Sequence, residues 1–146
     1  MRQIDKIILL TMAVTLLASC VTQKRKGELS ALGKLYHNTT AKFNGYFNAN
    51  ELLEESIVKL SEQYQDNFRE VLPVYDYVAS GNPDLVAADL DRAIEKVSVV
   101  VNLHRESHWT DDCYLLLGKA QYLKQDYESA EETLRYLIAE FSPEKM

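Results

Sequence analysis

Glycine, proline and cysteine are scarce in this 146-residue chain, at five, three and two residues. So few backbone breakers exclude collagen-like and linker-type chains, and the abundant Ala, Leu, Glu, Lys and Tyr favour an all-helical domain. A basic excess is also missing, because the formal net charge is −6. A nucleic-acid surface needs a cationic footprint that releases counterions, so that class is set aside. The apolar run at the start, Ile7 to Leu17, falls well short of the roughly 20 residues a membrane-spanning helix requires. There is no glycine-rich phosphate loop.

The start itself is informative. Arg2 and Lys6 precede the apolar run, and "LASC" closes it at Cys20. A charged beginning, a short apolar middle and a small-residue end describe an export signal. An ordinary cleavage site would want a small residue where Leu17 stands, and Leu17-Ala18-Ser19-Cys20 instead resembles the lipobox of bacterial lipoproteins. The resemblance implies cleavage before Cys20, diacylation of its sulfur and acylation of the new amine, with palmitate as the typical chain. One acyl chain holds a membrane marginally, whereas two or more hold it stably, each buried methylene contributing about 0.8 kcal/mol. Residues 1–19 are then the signal peptide and residues 20–28 the lipidated cysteine and its tether. Lys24, Arg25 and Lys26 lie in that tether, where a three-residue basic run makes only minor lipid contact. The mature chain has 127 residues, enough for one domain, and Cys113 is its only remaining thiol. No intrachain disulfide can form, and Cys113 reads as a small buried hydrophobe.

Apolar spacing by three and four recurs through the rest. Leu29, Leu32, Tyr36, Thr40, Phe43 and Phe47 form one expected core stripe. "NAN" at 48–50 breaks it and offers a cap for a second helix bearing Leu53, Ile57, Leu60, Tyr64 and Phe68, which stops near Pro73. Residues 29–80 are therefore expected to be a degenerate helical hairpin plus a connector. Asn82-Pro83 is a helix start, a capping side chain followed by a residue whose missing N–H costs nothing there. The helix of segment 82–106 should turn Val86, Leu90, Ala93, Ile94, Val97 and Val100 inward. "VSVVV" at 97–101 could pass for a strand, but helical spacing on both sides keeps it helical.

In 109–143 the pattern is sharpest. Thr110 can cap one helix, Asp126 restarts another, and Gly118, Ala120 and Ala130 let two antiparallel helices approach. The spacing resembles the tetratricopeptide repeat, a 34-residue helix-turn-helix unit. Its packing positions fall on Tyr114, Leu117, Gly118, Tyr127, Ala130, Leu134 and Leu137. Two positions depart, with Gln121 where an aromatic is usual and Pro143 one residue late. The resemblance implies an all-α fold, tetratricopeptide-like hairpins stacked as a short right-handed solenoid of about five helices after the signal peptide. It also implies a partner-binding groove at Asp112, Leu115, Leu116, Lys119, Tyr122 and Leu123. With Lys119 its one cation, that groove does not suit a carboxylate clamp. Leu115, Leu116 and Leu123 could equally be core between stacked units. Such units are stable only when stacked, so the outer face of the last helix, with Ile138 and Phe141, is expected to be covered by more repeats or by a partner, as in a truncated member of a longer array.

Catalytic and metal chemistry find little support. His104 and His108 are four apart, with Asp111 and Cys113 near, but break signals at 107–110 spoil a shared helical face, and a closed site wants three or four ligands. Cys113 with His108 lacks an orienting partner. Glu51, Glu54, Glu55 and Glu128, Glu131, Glu132 sit in first turns, where the helix dipole favours carboxylates. Asn38-Thr39-Thr40 is a glycosylation sequon, incidental behind a bacterial signal. No cofactor, metal, nucleic acid or small-molecule substrate is expected, and the chain is expected not to be an enzyme.

Taken in order, "YHNTTAKFNGYFNANE", "VLPVYDY", "LDRAIEKVSVVVNLH" and "HWTDDCYLLLGKAQYLKQDYESAEETLRYL" resemble the start of the repeat lipoproteins of Bacteroidetes called SprE or PorW. That resemblance implies an outer-membrane lipoprotein facing the periplasm, a protein-protein scaffold of type IX secretion and gliding motility with secretion-complex subunits as partners. Surface display fits less well, since surface-exported relatives carry acidic residues after the cysteine, where this chain has "VTQKRK". The alternatives are a repeat lipoprotein of the outer-membrane β-barrel assembly machinery and, further off, a cell-envelope hydrolase.

Overall fold

A computed structural model describes residues 29–75 and 82–142. Cys20, the signal peptide, the tether and Pro143 lie outside them. Residues 31–75 and 82–142 belong to one compact unit. Every described element is helical, and no strand occurs among the described residues. We number the helices α1 (Ala31–Thr40), α2 (Asn48–Ser61), α3 (Ala87–Leu103), α4 (Thr110–Leu123) and α5 (Tyr127–Phe141). A π-helical segment, Ala41–Phe47, joins α1 to α2 without a break.

The expected hairpin at 29–70 is therefore not formed. Phe47 and Asn48 both keep right-handed helical backbone, so α1, the π segment and α2 make one continuous rod. Asn is only a modest helix breaker, and neither Gly nor Pro stands at 48–50 to force a turn. With the rod counted once, the described residues hold four helices rather than about five. The rod also ends at Ser61, short of Phe68, which is 83% exposed in the irregular stretch that follows.

The rod's orientation is the larger correction. The expected core stripe points outward: Leu32 is 78% exposed, and Tyr36, Phe43 and Phe47 are each more than half exposed. Ala41, Gly45, Ala49, Leu53, Ser56 and Leu60 are buried instead. Close approach explains the choice. A Cβ placed on Gly45 would lie 2.1 Å from Val100 Cγ2 of α3, so only the smallest residues fit this crossing. Residues four apart drift about 40° round an α-helix, and the wider π turn offsets that drift, which keeps Ala41, Gly45 and Ala49 on one line.

Past the connector, the chain follows its local signals. The Asn82 side chain accepts the Asp84 N–H at 3.1 Å, and Pro83 opens a short 3-10 turn, Pro83–Leu85. α3 then buries Leu90, Ala93, Val97, Val100 and Val101, and "VSVVV" is helical throughout. Lys59 of the rod meets Asp89 in the first turn of α3 at 2.6 Å. That ammonium holds the Asp89 carboxyl below its usual range, and Lys59 rises in return. Each helix packs on its neighbour in sequence: rod on α3, α3 on α4, α4 on α5.

Thr110 does not cap α4. It is the first helical residue, and its hydroxyl turns back to donate to the Ser107 carbonyl at 2.8 Å, with the His104 carbonyl also close at 3.2 Å. The corner from Leu103 to Trp109 gathers carbonyls around this buried oxygen, which holds it away from the helix N–H groups. Asp126 does cap α5, accepting the Ser129 N–H at 3.3 Å. Between them Gln125 takes φ 63°, a left-handed conformation that closes the tight link at a small steric cost. In the hairpin, a Cβ on Gly118 would lie 2.7 Å from Leu134 Cδ2, so α4 and α5 meet where a side chain is missing.

Candidate functional site

The six expected groove residues divide by burial. Leu116 is core, 3% exposed, while Leu123, 8% exposed, joins the core and still lines the groove. Leu115, Lys119 and Tyr122 are exposed, and Asp112 is half-buried. Leu115, Lys119 and Tyr122 line a groove of about 370 Å³ together with Leu53 and Ile57 of α2 and Leu134 of α5. Glu54 and Lys119 are its charged members, on opposing helices, and Tyr75 of the connector reaches its rim. Tyr122 and Leu134 also border a shallower depression with Tyr127 and Ile138, so the apolar surface runs on across α5.

Asp112 lies outside this groove. Burial, and then the neighbouring Asp111 charge, raise its carboxyl above the usual range. Its negative charge in turn adds to burial in raising the Tyr46 phenol. Tyr46 packs on Trp109 with ring centroids 5.0 Å apart, so this corner joins the rod to the start of α4.

Of the expected packing residues, Leu117 and Ala130 are buried, and Leu134 lies over Gly118. Tyr114 is half-buried, its ring centroid 4.9 Å from Tyr136 and 6.0 Å from Phe141. Phe141 thus folds back onto α4 rather than standing on the outer face, while Ile138 does stand there, 70% exposed. Leu137 is half-buried. Tyr127 does not fill the seam: it is mostly exposed and meets Tyr122 edge-on at 5.4 Å.

The histidines pair differently from their spacing. α3 ends at Leu103, so His104 and His108 do not share a helix. His104 is buried, and its Nδ1 lies 2.7 Å from Nδ1 of His37 on α1. One ring must donate its Nδ1–H to the bare Nδ1 of the other, which the pair can do only while at least one of them is neutral. Nothing within 67 residues of sequence flagged this contact. Burial, and then the His37 charge, hold the His104 imidazole below its ordinary value. The unfolded chain therefore protonates first. Stability should be complete above the free imidazole value of about 6.5 and should fall as pH drops through it toward the lower folded value. Thermal melts at pH 8 and pH 5.5 should show this loss, and a His104→Asn variant should show much less of it.

No group of three or more metal-binding side chains occurs among the described residues. Cys113 is a free, fully buried thiol, and burial with the Asp112 and Asp111 charges pushes it up to about 12. Nucleophilic chemistry needs the thiolate. At pH 8 iodoacetamide should leave Cys113 unmodified in the folded chain and alkylate it in denaturant, as peptide mass analysis would show. Comparison of the chain with models of known protein families, with curated proteins and with solved structures finds no match.

Proposed function

We propose that this chain is an outer-membrane lipoprotein anchored through Cys20 on the periplasmic side, a non-enzymatic scaffold that binds protein subunits of type IX secretion and gliding motility. In this reading α4 and α5 are a tetratricopeptide-like unit, with the rod and α3 stacked before it in a right-handed array. The observation that carries it is the groove between α2, α4 and α5. Its lining is mostly apolar, with Glu54 and Lys119 as its charged members. Apolar grooves between helices are a common seat for an amphipathic helix of a partner. The approach of Gly118 to Leu134, and the cap at Asp126, support the repeat-like hairpin.

A photo-crosslinking amino acid in place of Leu115 or Tyr122, in cells of a Bacteroidetes host, tests the reading. Adducts with secretion-complex subunits are the expected result. Adducts with subunits of the barrel-assembly machinery would transfer the scaffold to that system. Adducts from Ile138 with none from Leu115 or Tyr122 would move the binding face away from the groove.

A further inference from the structure

The N-terminal rod leaves several large apolar side chains exposed. Leu32, Leu35, Tyr36, Phe43 and Phe47 are all more than half exposed. Phe43 stands two residues from the buried Ala41 and Gly45, and Phe47 two from Gly45 and Ala49, which is roughly half a turn and so on the opposite face. A helix face meant for water carries charges. This one has an apolar and aromatic stripe instead, of the kind that marks a docking surface.

Its charge pattern says what docks. Between Leu29 and Asn50 there is no Asp or Glu, and the charged residues are Lys34 and Lys42. Residues 51–146 carry 20 acidic and 9 basic side chains, a net of −11. The acid-free segment and the exposed stripe therefore coincide within one rod. Lys42 Nζ lies 5.3 Å from the Phe43 ring centre and 5.1 Å from that of Trp109, so a cation is held at the margin of the stripe. A second copy meeting the same stripe would bring like-charged lysines together, because a two-fold contact repeats one patch on both sides. Phosphate headgroups above acyl chains offer the complementary pattern: negative charge for the lysines and hydrocarbon for Leu32, Leu35, Phe43 and Phe47.

We infer that this face of the rod lies in the interface of an anionic phospholipid membrane, with Phe43 and Phe47 among the upper acyl chains and Lys34 and Lys42 at the phosphates. The inference deepens the anchoring reading, adding to the tether at Cys20 a second contact that fixes which way the domain faces. The groove at Leu115 and Tyr122 belongs to other helices and is left free for protein.

The test uses the full acylated chain in vesicles of phosphatidylglycerol and phosphatidylcholine with brominated acyl chains. An environment-sensitive fluorescent amino acid replaces Phe43 or, as control, the exposed Glu132 of α5. The probe at 43 should shift to the blue and be quenched by the bromines, and the probe at 132 should not. Without the acyl chains, binding read by the same probe should weaken on the order of tenfold or more in a Lys34→Glu, Lys42→Glu variant. A vesicle-bound chain whose probe at 43 is unquenched, or no more quenched than the probe at 132, would overturn the inference while leaving the anchor intact. A blue shift at 43 that grows with protein concentration and needs no lipid would overturn it in favour of self-association. Quenching at 43 in a chain whose Cys20 proves unmodified would instead keep the docking face and remove the anchor.

Discussion

Gly45→Ala is expected to destabilise the domain, by about 1–3 kcal/mol, where the same change in an open helix would stabilise it by about 1 kcal/mol. The sign rests on one contact. The new Cβ would lie 2.1 Å from Val100 Cγ2, far inside van der Waals distance. Val100 is 2% exposed, and valine in a helix has one strongly preferred rotamer, so its methyl cannot swing aside. The rod and α3 would have to move apart, loosening Ala41, Ala49 and Leu53 together. For a domain near 100 residues each kcal/mol lowers the melting temperature by about 4–8 °C. Val100→Ala should rescue: the double variant should be more stable than Gly45→Ala alone, with a coupling of about 1 kcal/mol or more in a double-mutant cycle.

Alanine substitution along the rod should reverse the ranking that residue size suggests. Leu53→Ala, which removes a side chain only 2% exposed on the inner face of the rod, should cost about 2–5 kcal/mol. Phe43→Ala and Phe47→Ala would cost about 3–5 kcal/mol were these rings in the core, but on an exposed face they should stay within about 0.5–1 kcal/mol. Urea denaturation of the three variants in detergent-free buffer checks both halves. A large loss at Phe43 with none at Leu53 would mean that the rod is turned the other way.

These two results concern the part of the fold that sequence pattern misjudged. In α3 and in the α4–α5 hairpin, the periodic apolar residues, the Asn82 start, the Asp126 cap and the small residues at Gly118 and Ala130 agree with the structure, with Tyr127 the exposed exception. In the rod pattern and structure conflict. Periodicity alone cannot tell a core stripe from a docking stripe, and the larger residues at 32, 36, 43 and 47 looked like the core. The close approach of α3 selects the smaller set at 41, 45 and 49, a demand made by a helix more than 40 residues away and invisible in a local window. The break expected at "NAN" failed for a related reason, since Asn weakens a helix only slightly and burial of Ala49 and Leu53 outweighs it. Thr110 had the composition of a cap but lies one residue inside the helix.

The candidate site was half legible. Leu115, Lys119, Tyr122 and the largely buried Leu123 do line a groove, whereas Leu116 turns into the core. The other wall of the groove, Leu53 and Ile57, belongs to the rod and could not be assigned while the rod was read as a separate hairpin. The His37 to His104 pair had no local signal at all, because the sequence offered His108 as the nearer partner and only the corner after Leu103 turns His104 toward α1.

The proposed function and the proposed membrane contact both rest on delivery through an acylated Cys20. Intact-mass spectrometry of the chain purified from the envelope of its native cells reads this directly. The expected product begins at Cys20 and carries the added mass of thioether-linked diacylglycerol and an amide-linked fatty acid. A product that retains residues 1–19, with an unmodified thiol at position 20, would contradict it.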